Sequence, residues 1–319
     1  MKKCIACGEA ANYREYIVRE MMFGTRDSFT YLECSNCGCL QIKQVPDDLS
    51  KYYPDNYYSL TSGKLNFLKS FLVSRRDRHS IGFNNIIGKI LEKHFPAPSY
   101  LRVFKVINAK REWKILDIGS GTGQKLLALE RIGFQNLLGI DPNIVNDIYY
   151  SNALQVRKMS ISEIDDKYDL VLFNHSLEHM EDPELVLKEV AKKNTAESLV
   201  VIRIPIVGCY AWKKYGTDWD GLDAPRHLFI PTKKSLTLLA NLCGFEIINM
   251  FCDSTSMQFW ASEQYKRGIP LMDPRSYSIN PKNSIFNKTQ MKNFRKEAEK
   301  LNLEGTGDIV SAVLKKVKK

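Results

Sequence analysis

The residues ILDIGSGTGQ, 115–124, carry an apolar run into a turn with glycines at alternate positions, Gly119, Gly121 and Gly123. A helical pattern, KLLALERIG, follows within two residues. Glycine is needed where the backbone turns sharply and a ligand must approach without a Cβ in its way. The stretch predicts a strand, a ligand-binding loop and a helix of a doubly wound α/β domain. A tight turn without a ligand is the alternative.

Short apolar runs alternate with helical patterns around and after this loop, from residue 113 to about residue 253. This alternation is typical of a parallel sheet with crossover helices. Beyond residue 254 the sequence predicts two helices, over 254–268 and 286–302, and a last strand over 308–317. The other predicted strands are KILDIG, NLLGID, YDLVLFN, SLVVIRIP and FEIINMFC.

An acidic residue, Asp141, ends the strand that follows the glycine loop, in the run GIDPN. A carboxylate at this place accepts hydrogen bonds from the hydroxyls of a ribose, so it indicates a nucleoside ligand. The fingerprint of NAD-binding loops is G-x-G-x-x-G. Here Gln124 stands where that fingerprint has its third glycine, which disfavours NAD.

The run D-x-G-x-G-x-G resembles motif I of class I methyltransferases. The resemblance implies an α/β fold with a seven-stranded Rossmann-like sheet, whose last strand is antiparallel, and S-adenosyl-L-methionine as the cofactor. It implies that the glycine loop holds the methionine end, that an acid binds the ribose, and that a later segment lies near the adenine. The cofactor-binding residues so implied are Asp117, Gly119, Ser120, Gly121, Gly123, Asp141, Pro142, Met159, Ser160 and Asn174.

Two histidines follow the strand YDLVLFN in the run HSLEHMEDPELVLKEV. His175, Glu178 and His179 match H-x-x-E-H, an inverted zinc-protease motif, but that motif requires both histidines in the middle of a helix. Here they come directly after a strand, at the sheet edge where cofactors bind. The run resembles instead motif IV of methyltransferases, in which E-H is followed by the D-P of Asp182 and Pro183.

A third histidine, His227, lies in the run P-R-H-L, 225–228, which recurs in methyltransferases of glycan and natural-product clusters. Methyl transfer to a hydroxyl requires alignment of the nucleophile and removal of its proton, and the pKa of histidine suits that task. The candidate catalytic bases are His179 and His227, with His175 third. The alternative for the first two is structural, with His179 bonded to loop backbone and His227 packed in the interior.

Four cysteines form two C-x-x-C pairs, Cys4 with Cys7 and Cys34 with Cys37. Two such knuckles suit a structural zinc ion with four thiolate ligands. An iron–sulfur cluster also takes four cysteines, but a symmetric pair of knuckles is more usual for zinc. Cys39 belongs to neither pair and is not expected to be a metal ligand.

The second knuckle begins the stretch CSNCGCLQIKQVPDDLSKYYPDNYYSL, which resembles the zinc-binding head of bacterial sugar methyltransferases. Those enzymes act on nucleotide-linked sugars or polysaccharide precursors. The best-known members carry a further C-terminal α/β domain that 319 residues leave no room for. O-methylation is therefore at least as well supported as C-methylation of a keto-sugar.

The net charge of +10 comes almost entirely from one segment, residues 60–111, which holds eleven Lys or Arg against Asp77 and Glu92. Three interpretations are open for it. The segment is a lid helix with a solvated cationic face; or its Arg and Lys side chains, Arg75 and Arg76 among them, bind the pyrophosphate of the acceptor; or it lies on anionic lipid. Either ligand contact would be made through residues 64–111. We favour the pyrophosphate, because an enzyme of a family that acts on activated sugars must bind a diphosphate.

Three regions follow from these patterns: a zinc-binding module over 1–45, a basic helical lid or linker over 46–111, and a methyltransferase domain over 112–319 with a helical insertion at about 254–304. The expected function is methylation of a small-molecule acceptor, a sugar or nucleotide-sugar. An RNA methyltransferase is disfavoured because motif IV lacks N/D-P-P-Y/F, so nucleic acid is not an expected partner. A non-catalytic adaptor is disfavoured because motif I is intact.

The expected compartment is the cytoplasm. The N-terminus MKKCIACGEA lacks the apolar core of a signal peptide, and no run of eighteen apolar residues occurs. Paired cysteines of this kind bind metal in a reducing compartment more often than they form disulfides.

Overall fold

The computed structural model describes residues 3–10, 12–54, 67–83 and 85–317. In the N-terminal part the elements are β1 (Tyr13–Arg19), β2 (Ser28–Cys34), β3 (Leu40–Ile42), α1 (Phe67–Ser80), α2 (Ile86–His94) and α3 (Arg102–Val106). The central elements are β4 (Lys114–Ile118), α4 (Gln124–Ile132), β5 (Asn136–Ile140), β6 (Ile148–Ser151), β7 (Leu154–Arg157), β8 (Leu170–Asn174), α5 (Pro183–Lys193) and β9 (Leu199–Pro205). The C-terminal elements are α6 (Tyr210–Tyr215), β10 (Phe229–Ile230), α7 (Lys233–Leu242), β11 (Phe245–Cys252), α8 (Met257–Lys266), α9 (Lys288–Leu303) and β12 (Ile309–Lys316).

The central sheet has eight strands in the order β11-β12-β9-β8-β4-β5-β7-β6. The core strands are parallel, and β12 is antiparallel to both of its neighbours, β9 and β11. The predicted α/β fold and its antiparallel last strand are confirmed. The six strands located in the sequence are all present. Strand β7 brings the sheet to the expected seven strands, and β6 adds an eighth at the edge. The sequence did not reveal β6 and β7, because four residues are too few to show a period.

The N-terminal strands form an antiparallel meander whose last strand, β3, pairs with β10 of the central region. The backbone N–H of Ile42 also donates to the carbonyl oxygen of Leu228 at 2.8 Å. One continuous hydrophobic core runs from Cys4 and Tyr31 into strands β8 and β9. The cysteine-bearing head is thus built into the larger domain.

The segment between α8 and α9 packs on the tip of the β1–β2 hairpin. The backbone N–H groups of Leu271 and Met272 donate to the carbonyl oxygens of Met21 and Met22, at 2.8 and 2.9 Å. A separate apolar cluster fills this contact. The predicted insertion therefore braces the N-terminal hairpin.

Helices α1 and α2 pack together where Gly88 leaves room, because a Cβ there would collide with the carbonyl oxygen of Arg75. Ser74 Oγ donates to the carbonyl oxygen of Arg131 at 2.8 Å, which places α1 against the C-terminal end of α4. Helix α4 begins at the glycine loop, so this contact lies at the opposite end of the helix from the loop. No helix in the described ranges is long and apolar enough to cross a membrane.

Candidate active site

The glycine loop between β4 and α4 is held close to two neighbouring segments. Gly119, Gly121 and Gly123 have φ of 73°, 55° and 75°, the left-handed region that favours glycine. A Cβ on Gly119 would lie 2.5 Å from Cβ of Ser176, and one on Gly123 would lie 2.6 Å from Cγ2 of Val156. The loop has no room for side chains at these two positions.

Asp141 is bonded to this loop at the end of β5. Its carboxylate accepts the backbone N–H groups of Gly121 and Asn143, both at 2.9 Å, and its exposed fraction is 9%. A carboxylate has further lone pairs, so the two oxygens can also accept ribose hydroxyls. The predicted acid and the predicted loop are therefore brought together.

The residues expected near the adenine lie beside Asp141. The N–H groups of Met159 and Asp141 both donate to the carbonyl oxygen of Arg157, at 3.0 and 3.1 Å. Met159 is partly buried and Pro142 is exposed. The backbone N–H of Ser160 is engaged in a local cap, donating to Glu163 at 2.7 Å.

A small cavity lined mainly by apolar side chains also borders three polar residues, Asp117, Lys125 and Asn174. Lys125 Nζ donates to the carbonyl oxygen of Asn174 at 2.8 Å. Burial raises the pKa of Asp117 to about 7, although the Lys125 ammonium opposes the rise. The side-chain Oδ1 of Asn174 is buried without a hydrogen-bond partner in the described ranges, so it can accept a donor from a ligand.

Three residues converge where β8 ends and the 225–228 run passes over it. The rings of His179 and His227 have centroids 4.8 Å apart in an edge-on arrangement. One ligand-capable atom from each of Glu178, His179 and His227 lies within 4.8 Å of the others. The structure thus brings the first two candidate bases together, with a carboxylate beside them.

The third candidate, His175, has both ring nitrogens engaged. Its Nδ1 lies 3.1 Å from Oε1 of Glu178, and its Nε2 contacts Nη1 of Arg203. A guanidinium only donates, so the Nε2 lone pair is already used. Burial, followed by the charge of Arg203, holds the pKa of His175 well below its ordinary value. His175 is positioned to orient Glu178, and its engaged nitrogens argue against a role as the base.

The rings of His179 and His227 are each fixed by one backbone carbonyl. Nδ1 of His179 bonds the carbonyl oxygen of Arg226 and Nδ1 of His227 that of Gly221, both at 2.9 Å. A carbonyl only accepts, so Nδ1 carries the proton and Nε2 keeps its lone pair. Burial lowers the pKa of His179 to about 3 and also lowers that of His227, so both rings are neutral.

Arg226 joins this cluster to the N-terminal head. Its guanidinium is fully buried and pairs with Glu20 at 3.1 Å and Asp223 at 2.6 Å. It also donates to the carbonyl oxygen of Tyr52 at 3.1 Å. The carboxylate of Glu20 in turn accepts the backbone N–H groups of residues 22–25.

The sequence patterns did not identify several residues of the site. Arg203 forms a forked ion pair with Asp253 at 2.9–3.1 Å. The sequence feature that could have revealed it is a single charged residue inside the apolar run SLVVIRIP. Nothing in the sequence indicated a role for Lys125 except its position just after the glycine loop. Tyr53 Oη lies 3.1 Å from Nδ1 of His179, so the tyrosine-rich stretch begins at the site. The remainder of that stretch, 55–59, lies outside the described residues.

The four knuckle cysteines meet as predicted. Sγ of Cys4 lies 3.5 Å from Sγ of Cys37, and Sγ of Cys7 lies 3.9 Å from Sγ of Cys34. Zinc–sulfur bonds of about 2.3 Å in a tetrahedron separate sulfur atoms by about 3.8 Å. The donor set therefore fits a structural zinc ion, and Cys39 stays outside it.

Comparison with known proteins places this geometry in context. No curated protein matches the sequence. A SAM-dependent methyltransferase structure from Archaeoglobus fulgidus is 19% identical, covering 72% of this chain and 99% of its own, with a TM-score of 0.42. The magnesium protoporphyrin IX methyltransferase of Synechocystis PCC 6803, with SAM bound, is 14% identical over 65% of this chain and 86% of its own, with a TM-score of 0.38.

A family model described as a methyltransferase domain matches residues 90–249, half of the chain. The matched region contains the glycine loop, Asp141 and both neutral histidines. It also contains the strands β4, β5, β8 and β9 at the centre of the sheet. The chain belongs to the methyltransferase-domain family and is an S-adenosylmethionine-dependent enzyme.

Proposed function

We propose that this enzyme methylates a hydroxyl group of a small-molecule acceptor, a nucleotide-linked sugar or glycan precursor. One observation carries the proposal: two neutral imidazoles, His179 and His227, each keep an Nε2 lone pair beside the glycine loop. Ser176, between β8 and these residues, packs on Gly119 and donates to the carbonyl oxygen of Ile118 at 2.6 Å. The cofactor loop and the imidazoles are therefore neighbours.

The cofactor is proposed to lie along the carboxyl edge of β4 and β5. Asp141 accepts the ribose hydroxyls, because its carboxylate is already oriented by two backbone N–H groups. The orphaned Oδ1 of Asn174 and the carboxyl of Asp117 suit the cationic amino group of the methionine end. The adenine then lies near Pro142, Met159 and Ser160.

In the reaction the acceptor oxygen forms a bond to the methyl carbon while the carbon–sulfur bond breaks, which releases S-adenosylhomocysteine. The proton of the hydroxyl passes to Nε2 of His179 or His227. Such general-base assistance contributes about 10²–10⁴-fold in rate. Both rings are suited to it because they are neutral and, among the residues that the structure describes, form hydrogen bonds only through Nδ1.

A sugar acceptor is supported by the resemblance of residues 34–60 to the head of sugar methyltransferases and by the polar character of the cluster. Groups that can bind hydroxyls lie beside the two imidazoles: the phenol of Tyr53 beside His179, and the carboxylates of Glu178 and Asp223 beside His227. The eight cysteines are free thiols, four of them placed for metal, which supports the cytoplasm as the proposed compartment.

The test is transfer of a labelled methyl group from S-adenosylmethionine to a panel of nucleotide-sugars, with NMR of the product to locate the methyl. We expect label on a sugar oxygen. A labelled methyl group on a carbon atom would mean that the enzyme is a C-methyltransferase and not an O-methyltransferase. A labelled methyl group found on RNA alone would refute the sugar acceptor. Cofactor binding without transfer to any member of a broad panel would favour an adaptor.

For the basic segment, we propose contact with anionic lipid in preference to a pyrophosphate. Arg76 pairs with Asp77 at 2.7 Å, and the Arg75 guanidinium lies over the ring of Phe71 at 4.8 Å. Both arginines are on α1, which packs on the end of α4 away from the glycine loop. The helix pair also exposes apolar side chains beside its lysines: Leu68, Phe71, Leu72, Ile86, Ile87, Ile90 and Phe95.

An exposed apolar face bordered by Lys and Arg suits a headgroup layer of negative charge. We therefore expect co-sedimentation with vesicles that contain anionic lipid, and loss of it in Ile86→Ser with Ile90→Ser. Leu185→Ser, at an exposed residue of α5, is the control that keeps binding. Equal vesicle binding by the unaltered protein, the double variant and the control, or no binding to anionic vesicles at all, would mean that the segment is a solvated cationic face.

A further inference from the structure

We propose that Glu178, His179 and His227 form a binding site for a divalent transition-metal ion, separate from the four-cysteine site. One ligand-capable atom of each residue lies within 4.8 Å of the others. Two imidazoles and a carboxylate, with a position left for substrate, form a ligand set used for catalytic zinc and other first-row metals. The inference deepens the proposed function and rests on it, because the ion would contact the acceptor.

The imidazoles are oriented as those of metal-binding histidines usually are. In such sites the second ring nitrogen donates its proton to a carbonyl or carboxylate, which fixes the ring and leaves the other nitrogen as the ligand. His179 donates to the carbonyl oxygen of Arg226 and His227 to that of Gly221. With ring centroids 4.8 Å apart, the two rings are close enough to bind one ion.

The carboxylate of Glu178 lacks a partner that a cation would supply. Its side chain is fully buried, Oε1 lies 3.1 Å from Nδ1 of His175, and Oε2 has no hydrogen-bond partner in the described part of the chain. Leaving a buried acceptor unpaired costs about 1–3 kcal/mol, and more for a charged one. A bound cation removes that cost.

A chain of side chains holds this carboxylate in place. His175 bonds Oε1 of Glu178, Arg203 bonds the far nitrogen of His175, and Asp253 fixes Arg203 through its forked ion pair. Partners behind a metal ligand set its orientation and affinity. The positive charges of Arg203 and Lys125 also act on Glu178, and they oppose the binding of a cation. The negative charge of the Glu178 carboxylate is therefore needed to offset them.

The pair of His227 and Glu178 requires only a small contraction, and the other ligand atoms lie within 4.8 Å. Nε2 of His227 lies 3.9 Å from Oε1 of Glu178. Ligand bonds of about 2.0–2.2 Å in a tetrahedral site separate the ligand atoms by about 3.4 Å. Magnesium and calcium prefer sets of oxygen ligands, so the expected ion is zinc, iron, manganese, cobalt or nickel.

An ion in this place gives the cluster a second way to activate a hydroxyl. With the ion bound, the lone pairs of His179 and His227 are engaged. The ion would then polarise the acceptor oxygen and lower the pKa of its hydroxyl, so that the proton is lost to solvent water as the oxygen binds the methyl carbon. Without the ion, the imidazoles remain available as bases. A measurement of metal binding distinguishes the cluster with an ion from the cluster without one, and it requires no acceptor.

The experiment is a Co²⁺ titration of the full chain with zinc already bound at the cysteines, followed by calorimetry and visible absorption. We expect one Co²⁺ per chain, with ligand-field bands and without the charge-transfer band that thiolates produce. Glu178→Gln keeps the shape of the side chain, and His227→Ala removes one ring. Each should weaken Co²⁺ binding by more than the roughly 10–100-fold that losing an outer partner costs.

His94→Ala, at a histidine on α2, is the matched control and should bind Co²⁺ as the unaltered protein does. Circular dichroism checks that each variant is folded; if His227→Ala is not, Glu178→Gln alone decides. Failure of the unaltered protein to bind Co²⁺, or equal binding by Glu178→Gln, would overturn the metal site. Neither result touches the proposed function, which is tested separately by transfer of the labelled methyl group to a sugar oxygen.

Discussion

Asp141 is oriented before any ligand arrives, because the N–H groups of Gly121 and Asn143 hold its two carboxylate oxygens. Preorganised groups lose little entropy on binding, so the bonds they make to a ligand contribute fully to affinity. The same holds for His179 and His227, whose rings are fixed by backbone carbonyls. At this scale the site is a set of side chains held in place by main-chain groups.

We predict that Asp141→Ala weakens binding of S-adenosylmethionine by about 2–3 kcal/mol, because charge-assisted bonds to the ribose are lost. Titration calorimetry measures the change. Asp166→Ala, at an exposed residue, serves as the control and should bind normally, and NADH should give no signal. Unchanged affinity in the Asp141 variant would remove this residue from the site.

We predict that His179→Ala and His227→Ala leave cofactor affinity nearly intact but slow turnover by about 10²–10⁴-fold, the range expected when a general base is lost. Single-turnover rates with the identified acceptor provide the measurement. His94→Ala should turn over at the normal rate. A loss below tenfold in both variants of the cluster would mean that neither ring activates the acceptor.

The sequence located the glycine loop, Asp141 and His179 because each follows a strand with a clear apolar run, whereas His227 was found only through the P-R-H-L run. It could not show which ring nitrogens are available. That depends on the carbonyls of Gly221 and Arg226, which lie in a stretch without periodicity, and on Arg203, which arrives from the neighbouring strand. Long-range hydrogen bonds of this kind leave no pattern along the chain.

At the scale of elements, the second cysteine knuckle is bonded to the start of α7. Thr232 Oγ1 donates to the carbonyl oxygen of Cys37 at 2.8 Å, and Lys234 Nζ donates to that of Asn36 at 2.7 Å. Strand β3 follows the knuckle and pairs with β10, two residues beyond His227. Order in the knuckle is therefore coupled to order at the site.

We predict one tightly held zinc per chain at the cysteines, lost in Cys4→Ser and in Cys37→Ser, with melting or aggregation of the head because zinc binding is coupled to folding. Elemental analysis after removal of weakly bound metal gives the count. Cys39→Ala is the control and should keep its zinc. An iron-type visible spectrum in anaerobically purified protein would contradict the assignment.

The buried ion pairs of Arg226 hold the N-terminal hairpin against the 220–228 loop. We predict that Arg226→Met lowers the free energy of unfolding by about 3–5 kcal/mol, because it leaves Glu20 and Asp223 without their cation. Denaturant unfolding provides the value. Lys43→Met breaks an exposed pair with Glu15 at 2.7 Å and should cost at most about 1 kcal/mol. Equal effects would show that the Arg226 pairs do not stabilise the fold.

At the scale of the whole molecule, the N-terminal head is joined to segments that lie far from it in the sequence. The cysteine-bearing head shares β10 and a common core with the central domain, and the segment between α8 and α9 braces its hairpin. Composition and periodicity predicted six of the eight strands of the central sheet, since each of those six is locally apolar. They could not predict how the head docks, because β3 and β10 are only three and two residues long.

The central claim is that the glycine loop and Asp141 hold S-adenosylmethionine next to the histidine cluster. A crystal structure of the protein with S-adenosylhomocysteine bound tests it most directly. We expect both ribose hydroxyls on the carboxylate of Asp141, the amino group at Asn174 or Asp117, and the sulfur facing His179 and His227. Ribose bound away from Asp141, or a sulfur turned away from both imidazoles, would contradict it.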